Sequence, residues 1–149
     1  MKIKTLILEN FRSYRSRTEI HFDDLTDLIG RNDAGKSSLI EALDIFFDGG
    51  TVKIDQRDAS FGGDAKQVRI GVVFSSLPDY FILDSNARTR LSDEYLLNAN
   101  GDLEIHRVFN CALQTPKSEF FAVAEHPSHP DASGLTASEE SDLGFLWPA

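Results

Sequence analysis

The sequence has very little cysteine, and its one cysteine, Cys111, excludes an internal disulfide. It also lacks any apolar run that approaches the ~20 residues needed to cross a bilayer as a helix. The apolar stretch at residues 2–9 is too short for a secretory signal and has no small-residue cleavage site after it, so we interpret it as a strand. These absences predict a protein of the reducing cytoplasm with no membrane-spanning segment.

Positive charge is scarce as well. The chain has 15 lysines and arginines against 24 aspartates and glutamates, which gives a formal net charge of −9. Because an acidic surface repels phosphate backbones, we expect any action on DNA to come from the complete protein rather than from this segment. With one cysteine, and no metal-ligand spacing among the histidines, a structural zinc site is not expected: His21, His106, His126 and His129.

Alternating apolar residues predict strands at 2–9, 18–22, 25–29 and 68–74. Between the third and fourth of these, the apolar positions follow helical spacing, and Gly49-Gly50 is expected to end that helix: Leu39, Ile40, Leu43, Phe46 and Phe47. Residues 51–66 are loop-like. The first half of the chain therefore predicts strands that surround one long helix.

The second half predicts a further helix and a hairpin. Pro78 fits the first turn of a helix whose apolar stripe is Tyr80, Leu83, Ala87 and Leu91. Residues 95–98 and 103–109 flank a glycine-containing turn at 99–102, which is typical of a hairpin, and 119–125 is a further strand. From His126 the chain becomes loop-like, and Thr136 with Glu139 is suited to open another helix as a capping box. We therefore divide the chain into a lobe, residues 1–125, and a loop with the start of a helix, residues 126–149.

A glycine-rich loop contains the residues that most clearly predict a binding site. The motif G-x-x-x-x-G-K-[ST] is matched at every fixed position, after a predicted strand and before a predicted helix, by Gly30, Arg31, Asn32, Asp33, Ala34, Gly35, Lys36 and Ser37. The glycines let successive N–H groups face inward as a nest for phosphate oxygens, and the helix adds its positive end beneath them. We expect Lys36 to reach the β- and γ-phosphates, Ser37 to be a ligand of Mg²⁺, and Ser38 to lie near the α-phosphate. The predicted ligands are thus ATP and Mg²⁺.

Two stretches carry a family resemblance. They are Ile7-Leu8-Glu9-Asn10-Phe11-Arg12-Ser13-Tyr14 and the run from Leu28 through the glycine-rich loop to Leu43. Together they resemble the start of an ABC-type ATPase head of the structural-maintenance-of-chromosomes (SMC) class. Residues 31–34 and 43–47 are most similar to the overcoming-lysogenization-defect (OLD) family of ATPase/nucleases.

The resemblance implies a fold, partners and two further site residues. It implies an α/β P-loop NTPase fold, as the N-terminal lobe of the head, with a curved, mainly antiparallel sheet and at least two helices. It implies that Arg12 and Ser13 contact phosphate, whereas we expect Phe11 to belong to the core. It also implies that ATP controls head association and that the complete protein acts on DNA, as a nuclease or in phage defence.

Several parts of such a head have no convincing counterpart in the sequence. The run Tyr80-Phe81-Ile82-Leu83-Asp84 outlines a Walker B strand, but no second acidic residue follows, so we interpret Asp84 as a helix position. Gln56, Gln67 and Asp58 suit other parts of the site by residue type alone. We therefore interpret the chain as the front part of an ATPase head, with an incomplete core and no identified catalytic residue. It should bind ATP and Mg²⁺, hydrolyse ATP slowly alone, and present a sheet edge to a second copy or a partner chain.

Two other functions remain open. One is a non-catalytic regulatory or assembly subunit that uses the bound nucleotide as a structural pin. The other is a small P-loop kinase or GTPase. The sequence has neither a lid with clustered arginines nor an Asn-Lys-x-Asp guanine-reading motif, which disfavours this second class.

Overall fold

The computed structural model describes residues 1–24, 35–84 and 87–125. Five antiparallel strands form the main sheet, in the order β2-β1-β3-β6-β7. Their bounds are β1 Lys2–Glu9, β2 Thr18–His21, β3 Val68–Ser75, β6 Leu103–Asn110 and β7 Lys117–Val123. The remaining elements are helix α1 Lys36–Phe46, a 3₁₀ turn Gln56–Asp58, and a separate pair of strands, β4 Phe81–Asp84 and β5 Ala87–Thr89. The predictions of a strand at 25–29 and of a helix within 126–149 fall outside the described residues.

The centre of the sheet is apolar on the face that α1 covers. Leu6 of β1 pairs with Val72 of β3 on one side and with Ile20 of β2 on the other, and Leu6 and Val72 are fully buried. Successive side chains of a strand point to opposite faces, so the alternate residues of β3 form one apolar row. That row and the buried side of α1 make one core cluster. The predicted strands at 2–9 and 68–74 are thereby confirmed.

Helix α1 lies on this face through Leu39, Ala42, Ile45 and Phe46. It ends at Phe46, before Gly49-Gly50, as the sequence predicts. Ile40, which we had placed in the apolar stripe, is 65% exposed, so that assignment was wrong. One helical step is about 100°, which turns Ile40 away from the sheet when Leu39 faces it.

The helix predicted from Pro78 to Leu91 is wrong. Strands β4 and β5 pair there as an antiparallel two-stranded sheet, with Phe81 opposite Thr89 and Ile82 opposite Arg88. Asp84 belongs to β4, so its interpretation as a helix position was also wrong. Because β4 lies outside the five-stranded sheet, it is no Walker B strand of the main sheet in the described part of the chain.

The predicted hairpin between residues 95–98 and 103–109 is wrong in its first strand and right in its second. The second segment is a strand, but β6 pairs with β3 and β7, while residues 95–98 form turns and coil. The turn itself is present, since Asn98 N–H donates to the Asp102 carbonyl at 2.9 Å and Gly101 N–H donates to the Asn98 carbonyl at 2.9 Å. Strand β7 confirms the last predicted strand, with its start two residues earlier.

Strands β2 and β7 form the two edges of the five-stranded sheet. In residues 1–24, 35–84 and 87–125, α1 and the 3₁₀ turn are the helical elements, and no helix is long and apolar enough to cross a membrane. The same residues contain no group of three or more metal-ligating side chains. The described architecture agrees with the predicted antiparallel sheet beside a P-loop helix.

Candidate nucleotide-binding site

The described part of the glycine-rich loop forms the beginning of α1. Gly35 is the N-cap, with φ 83° and ψ 5°, and Lys36 is the first helical residue. Among the described residues no side chain caps this end, and no acidic residue lies in the first turn. The first backbone N–H groups and the positive end of the helix dipole are therefore not compensated by the helix itself, which is the arrangement that binds phosphate. Ser37 is exposed and Lys36 is half-buried, while Gly30, Arg31, Asn32, Asp33 and Ala34 lie outside the described residues.

Gly35 is required at its position for two reasons. Its φ of 83° is in the left-handed region, which L side chains rarely adopt. A Cβ there would also lie 2.8 Å from the Tyr14 hydroxyl oxygen and 3.2 Å from Ser13 Oγ. The Tyr14 hydroxyl donates a hydrogen bond to the Gly35 carbonyl at 3.3 Å. These contacts show that the end of the loop is packed against the turn that carries Arg12 and Ser13.

That turn, residues 10–15, is called the Arg12 turn below. Phe11 N–H donates to the Tyr14 carbonyl at 3.1 Å, and Tyr14 N–H donates to the Phe11 carbonyl at 2.8 Å. Arg12 has a φ of 51°, a conformation uncommon for residues other than glycine. Phe11 is fully buried in the core, as predicted, and the Arg12 guanidinium carbon lies 4.9 Å from the centroid of its ring. The core thus fixes the base of the turn, and Arg12 extends from it toward α1.

Two carboxylates hold the Arg12 guanidinium. Arg12 Nε donates to Asp58 Oδ1 at 2.8 Å, and Nη1 donates to Glu41 Oε2 on α1. The same Nη1 lies 3.5 Å from Ser38 Oγ, in the first turn of the helix. Burial alone would lower the pKa of Arg12, but the bonds to Asp58 and Glu41 raise it above its ordinary value. Arg12 is therefore a permanent cation, placed beside the N-terminal end of α1.

Asp58 belongs to a segment that is bonded to the Arg12 turn at several points. Its Oδ2 accepts from Asp55 N–H at 2.8 Å, and its carbonyl accepts from Arg12 N–H at 2.7 Å. Ser60 Oγ donates to the Arg12 carbonyl at 2.7 Å, and Ser60 N–H donates to the Asn10 carbonyl at 2.8 Å. Asp58 is thus held in place by main-chain hydrogen bonds to Asp55 and to Arg12 itself, and the neighbouring Ser60 is bonded to the Arg12 turn as well.

The structure brings together most of the described residues that the sequence predicted for the site. Gly35, Ser38, Arg12 and Ser13 lie in one cluster. The Gln56 side chain is bonded away from this cluster, since its Nε2 donates to the Ala112 carbonyl at 3.4 Å, and Gln67 contacts the Arg12 turn through its main chain, since its carbonyl accepts from Asn10 Nδ2 at 3.2 Å. Whether Arg12 and Ser13 contact phosphate stays a prediction.

Sequence reasoning missed Tyr14 and Glu41 as members of this cluster. For Glu41 a signal was available, because it follows Ser38 by three residues and i, i+3 positions lie on the same side of a helix. Asp58 was considered near the site as a possible acidic group, whereas its described role is to bind Arg12.

Comparisons with known proteins identify the family of the chain. Residues 1–146 match the family model described as an AAA ATPase domain, and the chain belongs to that family. A stretch of 44 residues is 48% identical to the chromosome partition protein Smc of Halobacteriovorax marinus, and it makes up 29% of this chain and 4% of that protein. The SMC head domain from Thermotoga maritima has a TM-score of 0.48 and 17% sequence identity to the chain, over 92% of this chain and 43% of that one. The chain therefore spans a small part of the curated relative and less than half of the solved structure.

These matches confirm the predicted resemblance to an SMC-like ATPase head. The described residues also fit the phosphates of a nucleotide, since no side chain among them caps the helix end and the left-handed Gly35 before Lys36 has no side chain to fill the space beside that end.

Proposed function

We propose that this member of the AAA ATPase domain family binds ATP and Mg²⁺ as the N-terminal lobe of an SMC-like ATPase head. The observation that carries the proposal is the start of α1, where a left-handed Gly35 precedes Lys36 and Ser37 at an uncapped helix end. The Arg12 turn packed against this end supports it, because it places a guanidinium, paired with Asp58 and Glu41 in the free chain, within 3.5 Å of Ser38 Oγ at the same end of the helix. An anion of high charge, such as a triphosphate, fits such a site.

Each side chain has a role in this proposal. Lys36 supplies a point charge to the β- and γ-phosphates, and the backbone of residues 30–35 supplies N–H donors. The exposed hydroxyl of Ser37 is the protein's ligand to Mg²⁺, an ion that balances phosphate charge when it is bound. Ser38, Arg12 and Ser13 complete the phosphate contacts.

The complete protein is a further part of the proposal. By resemblance to OLD-family ATPase/nucleases, ATP would control association of two heads, in the cytoplasm, and the whole protein would act on DNA, as a nuclease or in phage defence. The relative named chromosome partition protein Smc supports a chromosomal role for the wider class. The edge position of β7 leaves a place for a strand of a second copy or a partner chain.

A direct test is calorimetric titration of the 149-residue chain with ATP and Mg²⁺. Lys36→Ala should weaken binding about tenfold or more, since a charge-assisted hydrogen bond contributes about 1.5–3 kcal/mol. Lys53→Ala is the matched control, because Lys53 is an exposed lysine in the loop after α1 and its loss changes the net charge equally. Equal affinities for the wild-type chain and Lys36→Ala would refute a phosphate-binding role for the loop.

A second function is favoured by the position of β4. A strand that ends in Asp84 but pairs outside the main sheet is poorly suited to orient Mg²⁺ and water for hydrolysis. The chain would then be a nucleotide-binding regulatory or assembly subunit that does not turn ATP over. Measuring phosphate release by the chain alone tests this second function, since rapid Lys36-dependent hydrolysis would exclude it, whereas slow release agrees with both functions.

A further inference from the structure

We infer that Asp58 is a positioning residue that holds Arg12 toward the nucleotide, and that Glu41 is a competing anion that the phosphates must displace from Arg12. This inference rests on the proposed function, because it concerns the same phosphate site. It assigns opposite effects to two carboxylates that bind the same guanidinium.

The two carboxylates differ in how firmly they are held. The Asp58 side chain is 11% exposed and forms a capping box with Asp55, in addition to its bond to Arg12. The Glu41 side chain is 35% exposed and reaches Arg12 from the surface of α1. A partly exposed glutamate can turn into solvent at little cost, whereas moving Asp58 would break main-chain contacts on both sides of it. Glu41 is therefore the exchangeable partner and Asp58 the fixed one.

The position of Arg12 Nη1 makes the exchange relevant to the nucleotide. This nitrogen donates to Glu41 and also lies 3.5 Å from Ser38 Oγ, two residues after Lys36 in the first turn of α1. Two carboxylates around one guanidinium give the group a net charge of −1, which opposes the approach of an anion. A guanidinium binds phosphate oxygens well, and a phosphate held at the helix end can take the place of Glu41. Glu41 thus weakens phosphate binding in the free chain, and its release accompanies nucleotide binding.

The test compares Glu41→Gln with the wild-type chain by calorimetric titration with ATP and Mg²⁺. We expect Glu41→Gln to bind about two- to fivefold more tightly, because the phosphates no longer compete with a charged partner of Arg12. Glu19→Gln is the matched control. Glu19 is an exposed glutamate on β2 that pairs with Arg17, and its substitution removes the same charge. In the Arg12→Met background the gain from Glu41→Gln should disappear.

Asp58→Asn should act in the opposite direction. We expect weaker binding of ATP and Mg²⁺, and no additional loss when Asp58→Asn is combined with Arg12→Met, because Asp58 acts through Arg12. Urea unfolding of the nucleotide-free chains supplies a second readout. Asp58→Asn should lower the unfolding midpoint, while Glu41→Gln should leave it nearly unchanged.

The possible outcomes distinguish a failure of this inference from a failure of the proposed function, the binding of ATP and Mg²⁺. Binding that depends on Lys36 but is weakened or unchanged by Glu41→Gln would overturn the inference alone. A gain from Glu41→Gln that persists without Arg12, or that Glu19→Gln reproduces, would overturn it too, since the effect would then be general charge repulsion. Binding that does not depend on Lys36 would refute the proposed function and, with it, the inference.

Discussion

Arg107 should be the most sensitive position for the attachment of α1 to the sheet. It lies on β6 with 11% of its side chain exposed, and its Nη1 donates to the carbonyls of Ile45 at 2.8 Å and Phe46 at 3.3 Å. Its Nε donates to Ser118 Oγ on β7 at 3.0 Å. Helix α1 has no basic residue in its last turn, so this arginine supplies the positive charge that the C-terminal end of a helix favours. Arg107→Met retains most of the aliphatic stem and removes these donors.

The expected loss follows from the contacts that disappear. Removing the charged donor from the Phe46 carbonyl, and from the Ile45 carbonyl that also accepts from Asp48 N–H at 3.3 Å, costs about 1–3 kcal/mol in total. The guanidinium also lies 4.9 Å from the ring centroids of both Phe109 and Phe120, and such cation–π contacts contribute about 0.5–1 kcal/mol or more when shielded from solvent. The ion pair with Asp48, whose side chain is 78% exposed, adds little. We therefore expect Arg107→Met to lower the free energy of unfolding by about 2–4 kcal/mol.

Equilibrium unfolding in urea, followed by far-UV circular dichroism, measures this loss. The midpoint should fall with an unchanged slope if the native fold is kept. Arg107→Lys should fall between the wild type and Arg107→Met, since an ammonium keeps the charge but loses the fork of donors. Arg57→Met is the control, because Arg57 is 90% exposed, and it should leave the midpoint unchanged. Equal midpoints for Arg107→Met and Arg57→Met would refute the role assigned to Arg107.

Two further predictions concern Gly35 and His106. Gly35→Ala should reduce both the free energy of unfolding and the affinity for ATP. Gly50→Ala is the control, since Gly50 has a nearly equal φ of 82° but open space where a Cβ would lie, so this variant measures only the backbone strain of about 1–2 kcal/mol. Gly35→Ala should lose more stability than Gly50→Ala, and equal losses of stability would contradict a steric role for Tyr14. His106 is fully buried and, although its bond to Glu104 acts in the opposite direction, burial lowers its pKa below the ordinary 6.5. Below about pH 6.5 the unfolded chain therefore binds a proton at His106 more readily than the folded chain does. The contribution of neutral His106 to the free energy of unfolding is present above about pH 6.5 and is lost as the pH falls through the pKa of the folded state. The urea midpoint should decrease on acidification below that pH, less so in His106→Gln, and a midpoint that increases there would contradict the assignment.

The strands and the helix around the core could be predicted because burial acts on them in a regular pattern. In β3 the residues of the core cluster on the side of α1, Val68, Ile70, Val72 and Phe74, recur at every second position, and Gly71 and Val73 on the opposite face are buried as well. In α1 the buried positions recur with the period of the helix. The apolar residues that face the core recur with the period of their strand or helix, so the spacing of apolar residues in the sequence predicts the type of element.

The second half of the chain was harder to predict because its short segments lack that one-sided burial. Tyr80 and Ile82 are 52% and 72% exposed, so the apolar spacing from Tyr80 to Leu91 does not describe a buried helical face. Leu91 belongs to the core, but it lies after β5. The partners of β6 are β3 and β7 rather than the preceding residues 95–98, and such a choice depends on long-range pairing.

The candidate site could be predicted where a motif has fixed spacing, and not where contacts join distant residues. Gly35, Lys36 and Ser37 followed from the motif, and Arg12 and Ser13 followed from resemblance. The partners of Arg12 are separated from it by 46 residues for Asp58 and by 29 for Glu41. The charge pattern of a sequence rich in acidic residues offers many equivalent partners for one arginine, and the fold selects two of them.

The two ends of α1 are thus held by arginines that come from outside the helix. Arg12, after β1, meets the N-terminal half of the helix through Ser38 in the first turn and Glu41 in the second, and Arg107, on β6, binds the last carbonyls. The helix is 11 residues long, about 16 Å, and its buried side is fixed in the core. A shift of α1 along its axis would have to break contacts at both ends together. The position of the N-terminal end of α1 is therefore set by the sheet, and under the proposed function Glu41 is the contact at that end that a phosphate would displace.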